Sequence, residues 1–595
     1  MEFIAVTGMA NGEQEAINNF DLQAVILDCT SLEGTPDELG LRLDKLRPEL
    51  SLYGIVEPDQ HTSQGNRFDD LFDHDEGNFN RIFRVTQASL LKRSSTPFAD
   101  TLRQYIYSAR DSWHTPGHSG GDSLRNSPWV HDFYQLMGEH VFNSDLSVSV
   151  QVLDSLQEPQ SVIQEAQQLA ATTFGAEHTY FVTNGTSTAN KVVVQHLLGG
   201  GGKILLDRGS HKSMHHAVIL FGIEPVYLAS SLQPEYGLYG PVCQADIFAA
   251  IDANPDAKLL VLTSCTYDGL YYDLPPIIEK AHAAGIKVLI DEAWYAHGRF
   301  HPALRPNALD SGADYVTHST HKMLSAFSQA SMIHVKDPEF DEHRFQENLN
   351  MHTSTSPQYA MIASLDVARK QMSMEGYKCL CRCLDMVERL RTKINDTGIF
   401  RVLELKEILP PILQDDSIRL DPTKLTIDVS KSGMSGKEVQ LALFEHNSIQ
   451  VEKTTHNTVT ILVTLGATES KVLRLIQALQ QLAKKTASRT IGKPAPLIPL
   501  PPFGEITQLP HSAYFGPTVD LPLTGESHGI NPDIIGSVCA VEIVPYPPGI
   551  PLLVPGQLIS EAAADYLMKL IHSQSDNEIH GLIFRADEPF LRVVN

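Results

Sequence analysis

Residues 314–329 read DYVTHSTHKMLSAFSQ. The stretch opens as a short β-branched run that turns polar, as a buried strand does at its carboxyl end. Ser319, Thr320, His321 and Lys322 follow at once. Most lysines are solvated surface charges. This one stands among hydroxyls and an imidazole in a stretch otherwise fit for a core. A partly desolvated lysine amine has a lowered pKa and forms a Schiff base with an aldehyde.

Upstream, the same pattern recurs. TYFVTN (179–184), KILLDR (203–208), PVYLAS (225–230), KLLVLTS (258–264) and KVLIDEAW (287–294) are short apolar runs separated by helix-length stretches. Alternation of this kind predicts an α/β domain whose mostly parallel sheet is covered by helices on both faces. Open parallel sheets place their sites beyond the carboxyl ends of the strands. Asn184, Ser264, Asp291 and Ser319 fall at four such ends.

Three further pieces join the lysine. In TNGTSTANK (183–191), Gly185, Thr186 and Ser187 open a helix, either as a plain N-cap or as a phosphate cup on free backbone N–H groups. In DRGSHKSMHH (207–216), His211 is either a packed ring or a group that stacks on an aromatic cofactor. In LIDEAWYAHGRF (289–300), Asp291 ends a buried strand and needs a partner there. A salt bridge would serve, and so would a protonated heteroaromatic nitrogen. Trp294 and His297 either line the same crevice or simply pack. GGGG (199–202) follows a helix and reads as a loop. Together the pieces supply what pyridoxal 5'-phosphate needs: a phosphate cup, a stacking ring, an anion and an amine.

The chain has 595 residues and a net charge of -25, with 42% hydrophobic and 20% charged residues. Several domains are expected at this length. The acidic balance argues against nucleic-acid binding and against docking on an anionic membrane. Neither a secretory signal nor a run of membrane-spanning length is expected from MEFIAVTGMANGEQE or elsewhere. Cys379, Cys381 and Cys383 alternate within a helical stretch and fit no zinc spacing, so they read as packed thiols of a reducing cytoplasm. Composition divides the chain into a small α/β module (1–95), the large domain (96–365), a smaller α/β domain (366–490) and a Pro-rich C-terminal domain (491–595).

The order of cup, stacker, aspartate and lysine resembles that of the fold type I, aspartate aminotransferase-like enzymes. More narrowly, the chain resembles the bacterial Orn/Lys/Arg decarboxylase family through HTPGHSGGDSLRNSP (114–128), FNSDLSVSV (142–150), FVTNGTSTANK (181–191), STHKMLSAFSQASMIHV (319–335), MHTSTSPQY (351–359) and VPYPPGIPLLVPG (544–556). The resemblance implies a PLP-dependent decarboxylation of lysine, ornithine or arginine. It makes Lys322 the aldehyde-holding lysine, Asp291 the partner of the pyridine nitrogen and His211 the ring stacker. Gly185, Thr186, Ser187, Ser319 and His321 become the phosphate cup, with Trp294 beside them. It also implies a homodimer with shared active sites, in which Thr353 or Ser354 reaches the neighbouring subunit. DLQAVILDCTS (21–31) and LSLYGIVEPD (50–59) resemble a shortened form of the family's receiver-like wing, which leaves ring assembly undecided. The acid that recognises the substrate side chain is expected among Asp268, Asp520, Glu526 and Glu542. An aminotransferase or lyase built on the same kit is the competing enzyme reading. A non-catalytic homologue is disfavoured because Lys322 and Asp291 both stand.

Overall fold

The structure is a computed structural model that describes residues 4–32, 36–57, 68–74, 79–147, 150–487, 500–525, 529–546, 549–572 and 578–595. A seven-stranded sheet dominates it. Its strands are β1 (His178–Val182), β2 (Lys203–Asp207), β3 (Glu224–Leu228), β4 (Ala257–Thr263), β5 (Lys287–Asp291), β6 (Tyr315–His318) and β7 (Ser331–Val335), in spatial order β1-β7-β6-β5-β4-β2-β3. Strands β3, β2, β4, β5 and β6 pair in parallel, and β7 alone runs antiparallel to both of its neighbours.

The apolar runs are unbroken because both faces of the sheet are covered. Successive strand residues point to opposite faces. Leu260, Leu262, Val288, Ile290 and Val316 accordingly enter one core, while Leu259, Val261, Leu289 and Tyr315 enter a second. Each fully buried aliphatic side chain contributes about 2 kcal/mol of transfer free energy, so the sheet is a stiff platform for whatever its strand ends carry.

Two helices frame the site end: α1 (Thr186–Leu198) after β1, and α2 (Lys212–Phe221) after β2. Both pack on the second core through Val192, Val193, Met214 and Val218. A 37-residue helix, Tyr359–Asn395, then runs from the large sheet to a four-stranded antiparallel sheet of Arg401–Val402, Lys424–Asp428, Lys453–Thr454 and Thr458–Leu462. Cys379 and Cys383 lie one turn apart on its buried face, with Cys381 half-buried. Among the described residues no His, Cys, Asp or Glu cluster suits a metal ion, and no helix is long and apolar enough to cross a membrane.

Near the N-terminus, Ala24–Asp28, Ser51–Val56 and Asp70–Asp73 form a three-stranded parallel sheet. Arg93 fastens this region to the long helix, donating to Gln23 O at 2.9 Å and to Ser373 O at 2.7 Å. At the other end, Thr518–Pro522, Ile583–Arg585 and Glu588–Val594 form an antiparallel sheet. With the helix Glu561–His572 it encloses a separate core.

Candidate active site

β6 ends at His318, and Ser319 caps a single helical turn, Thr320–Met323, that carries Lys322. Lys322 Nζ lies 4.0 Å from the centre of the Trp294 ring. Burial holds its amine below the usual lysine range; the negative charges of Asp291 and Glu452 pull it back, and Lys424 pushes it further down. Among the described residues it makes no ion pair, which leaves a half-buried amine without the anion that would fix its proton.

Asp291 closes β5 and is buried. Its Oδ1 accepts from the Ala293 amide at 3.0 Å and its Oδ2 from Asn190 Nδ2 at 2.9 Å. Both donors are neutral. An ionised carboxylate has about four lone-pair sites, so this one retains capacity for a cationic donor. The same Asn190 amide donates to Ser213 Oγ at 3.0 Å, and Thr317 Oγ1 donates to Asn190 Oδ1 at 2.7 Å.

His211 is the N-cap of α2. Its Nδ1 accepts from the Ser213 amide at 3.3 Å and lies 2.9 Å from Ser213 Oγ. A ring that accepts at Nδ1 carries its proton on Nε2. Burial keeps its pKa below the ordinary histidine value, with Asp291 opposing and Lys322 assisting. The ring is therefore neutral at pH 7.

Several hydroxyls meet beside the lysine-bearing turn. Thr186 Oγ1 lies 2.6 Å from Ser319 Oγ and 2.8 Å from Ser331 Oγ. Ser331 donates to His318 O at 2.6 Å, which leaves its lone pairs to accept from Thr186. Gly185 precedes α1 at φ 76°, a conformation that favours glycine, with its amide bonded to Gln329 O at 2.9 Å. Behind it the first N–H groups of α1 have no acceptor within the helix, and Ser187 beside them is exposed. His321 packs by this cluster, its Nδ1 donating to Ala330 O at 3.1 Å. Among the described residues, Ser264 Oγ and Thr320 Oγ1 are buried without hydrogen-bond partners. Unsatisfied buried hydroxyls, a helix N-terminus, a carboxylate with spare lone pairs and an unpaired amine together fit a phosphorylated, aldehyde-bearing heteroaromatic group.

The acids expected to recognise a substrate are differently placed. Asp268 is buried against Lys453 at 2.7 Å, and Thr426 and Thr460 also donate to it. Asp520 pairs with Arg592 at 2.8 Å and with Arg585 at the C-terminal sheet. Glu542 faces α2, 3.6 Å from His216 Nε2, and burial pushes its carboxyl up to about 7 against the pull of Lys212. Glu526 lies outside the described residues. Glu452, which the motifs did not single out, lines one cavity of about 600 Å³ together with Lys322.

Thr353 and Ser354 bond locally, to Leu349 O and the Ser356 amide, away from this cluster. Trp294 covers Lys322. His297 instead turns to Asp421, 3.2 Å away in a fully buried cluster with Lys424. Asn190, Ser213, Thr317 and Ser331 were missed by sequence reasoning. Asn190 alone left a signal, since it falls one helical turn after Thr186 and so on the same face of α1.

An amine, a carboxylate and a helix N-terminus at the carboxyl ends of a mostly parallel sheet define the fold type I class. A family model described as the Orn/Lys/Arg decarboxylase major domain matches residues 96–471, and one described as the C-terminal domain matches 530–588. Arginine decarboxylase of Bacillus subtilis is 32% identical over 480 residues, covering 80% of this chain and 94% of that protein. Lysine decarboxylase LdcA of Pseudomonas aeruginosa is 33% identical, covering 82% of this chain and 78% of that protein. The crystal structure of the lysine decarboxylase of Francisella novicida superposes with a TM-score of 0.74 at 25% identity, over 99% of this chain and 94% of that one. The chain belongs to the Orn/Lys/Arg decarboxylase family.

Proposed function

We propose that this enzyme uses pyridoxal 5'-phosphate to decarboxylate a basic amino acid (lysine, ornithine or arginine) to the corresponding amine. The observation that carries the reading is the meeting of Lys322, Asp291 and His211 at one end of the sheet, in a chain of this family. The relatives divide between arginine and lysine decarboxylases, so the class of substrate is named and not its member.

When bound, the cofactor supplies an electron sink for the pair left as the Cα–carboxylate bond breaks. The residues do the rest. Lys322 Nζ, its proton affinity lowered by burial, would be the group that holds the cofactor's aldehyde, and in its protonated form it would be placed to deliver a proton to the substrate's Cα. Asp291, with lone pairs to spare, would keep the cofactor's ring nitrogen protonated, an electrostatic effect exerted where charge develops. The neutral His211 ring offers a stacking face. Thr186, Ser187, Ser319 and the N-terminus of α1 take the phosphate. Trp294 screens Lys322 from water.

The reading includes a homodimer with shared sites, with Thr353 or Ser354 reaching the neighbour. What supports it is an exposed apolar surface in the segment that carries the first family motif: Trp113 is 95% exposed, Trp129 89% and Leu136 80%. A surface of that kind marks an interaction site. Seven free cysteines accord with a reducing cytoplasm.

The test is a panel of amino acids incubated with purified holoenzyme, with CO₂ and product amine measured together. One or more of lysine, ornithine and arginine should give CO₂ and amine in equal amounts. Keto-acid formation without CO₂ would replace the reading with transamination.

A further inference from the structure

Asn190 is wholly buried, and an amide in that position must be satisfied. Its partners are not a random set. Nδ2 meets Asp291 Oδ2 at 2.9 Å and Ser213 Oγ at 3.0 Å, while Oδ1 receives Thr317 Oγ1 at 2.7 Å. The carboxylate decides which end of the amide faces it: the opposite flip would set Oδ1 against Asp291, acceptor against acceptor. With Nδ2 so placed, its second hydrogen goes to Ser213 Oγ. That oxygen, now an acceptor, has one proton of its own to give, and His211 Nδ1 lies 2.9 Å away. One chain of donors therefore runs Asn190 to Ser213 to His211, ordered by the charge on Asp291.

We propose that Asn190 is a positioning residue that couples Asp291 to His211: the Ser213 amide already fixes the tautomer of the histidine, and the carboxylate, through Asn190 and Ser213 Oγ, fixes its orientation. The inference deepens the cofactor reading above and rests on it, because Asp291 and His211 are the two side chains assigned there to the cofactor's ring. It differs from simple packing in one respect. A packing residue would act on Asp291 and His211 independently, whereas a coupling residue makes the Ser213 arm matter only while Asn190 is present. Members of one hydrogen-bond network show interaction free energies, and a double-mutant cycle isolates them.

The experiment is that cycle, run on the holoenzyme with Asn190→Ala, Ser213→Ala and the double variant. Two quantities are read: the rate at which the cofactor leaves, followed by its absorbance on dilution, and kcat separately from KM. Each single variant should speed cofactor release and lower kcat by about 10-fold, the scale of a lost hydrogen bond to a charged or buried group, with KM little changed. The double variant should be no worse than Asn190→Ala, a shortfall of about 5-fold or more from multiplicative behaviour. Effects that multiply would overturn the coupling and leave Asn190 a packing residue. Where Asn190→Ala fails to fold, Asn190→Asp takes its place, with the same non-additivity expected. Parent protein that retains no pyridoxal phosphate would instead bring down the cofactor reading itself, and the inference with it.

Discussion

Two lysines share one tryptophan and are treated in opposite ways. Lys322 Nζ sits 4.0 Å from the Trp294 ring, half-buried and, among the described residues, without a carboxylate in contact. Lys424 is completely buried, donates to Trp294 O at 2.9 Å and pairs with Asp421 at 2.5 Å. Burial pushes both amines down. For Lys424 the contact with Asp421 outweighs burial and the amine ends above its ordinary value; for Lys322 the more remote Asp291 and Glu452 do not, and it ends below. Asp421 is held correspondingly far below the carboxylate range against its own burial, chiefly by Lys424 and then His297. One lysine is made a permanent cation that closes the seam between the large sheet and the four-stranded sheet. The other keeps a lowered proton affinity.

Replacing each by methionine separates the two roles. Lys322→Met should abolish CO₂ release, by roughly 1,000-fold or more, and the cofactor's lysine-bound absorbance with it. Its stability should stay within about 1 kcal/mol of the parent, since an unpaired, desolvated cation is what is lost. Substantial residual turnover would show that the reactive amine lies elsewhere. Lys424→Met should do the reverse. It strands the Asp421 charge in the interior at a cost of about 3 kcal/mol or more, seen as a fall in denaturant midpoint, and adding Asp421→Leu should recover most of it. If Lys424→Met were as stable as the parent, the seam would not depend on the pair.

The strands, and the placing of Asp291 and Lys322 at two of their ends, were legible because both rest on local pattern. KVLID and KLLVLT announce a doubly covered sheet, and a lysine after a strand end is odd wherever it occurs. What escaped were contacts made at long range. Asp268 in TYDG looked available because nothing nearby neutralises it; Lys453, 185 positions later, does. Asn190 sits in a helix among valines and looks like a spare polar residue until β5 brings Asp291 against it. Glu452 carried no motif, and only the fold places it on the same cavity as Lys322.

Glu452 gives the finest test of the contrast between the lysines. Its charge raises the proton affinity of Lys322, so Glu452→Gln should lower the amine's pKa further. More of the amine is then unprotonated at pH 8. The apo-protein's Lys322 should react about 2- to 5-fold faster with an amine-selective acylating reagent, scored at that residue by mass spectrometry. A slower reaction would mean that the carboxylate assists Lys322 by contact and not by field.

Behind the site, one side chain from each of four adjacent strands or strand ends forms a file. Thr179 Oγ1 meets His334 Nδ1 at 2.8 Å, His334 Nε2 meets His318 Nδ1 at 3.0 Å, and His318 Nε2 meets Glu292 Oε2 at 3.1 Å. With Glu292 accepting from His318 Nε2, each ring in turn has its single proton assigned and Thr179 completes the series as donor. No bond in the file can reverse alone. β1, β7, β6 and the end of β5 are thus riveted through their side chains as well as their backbones. The last rivets sit next to Asp291 on one strand and Ser319 on another. The spacing between carboxylate and lysine is consequently a dimension of the sheet itself, as fixed as the distance between two holes drilled in one plate.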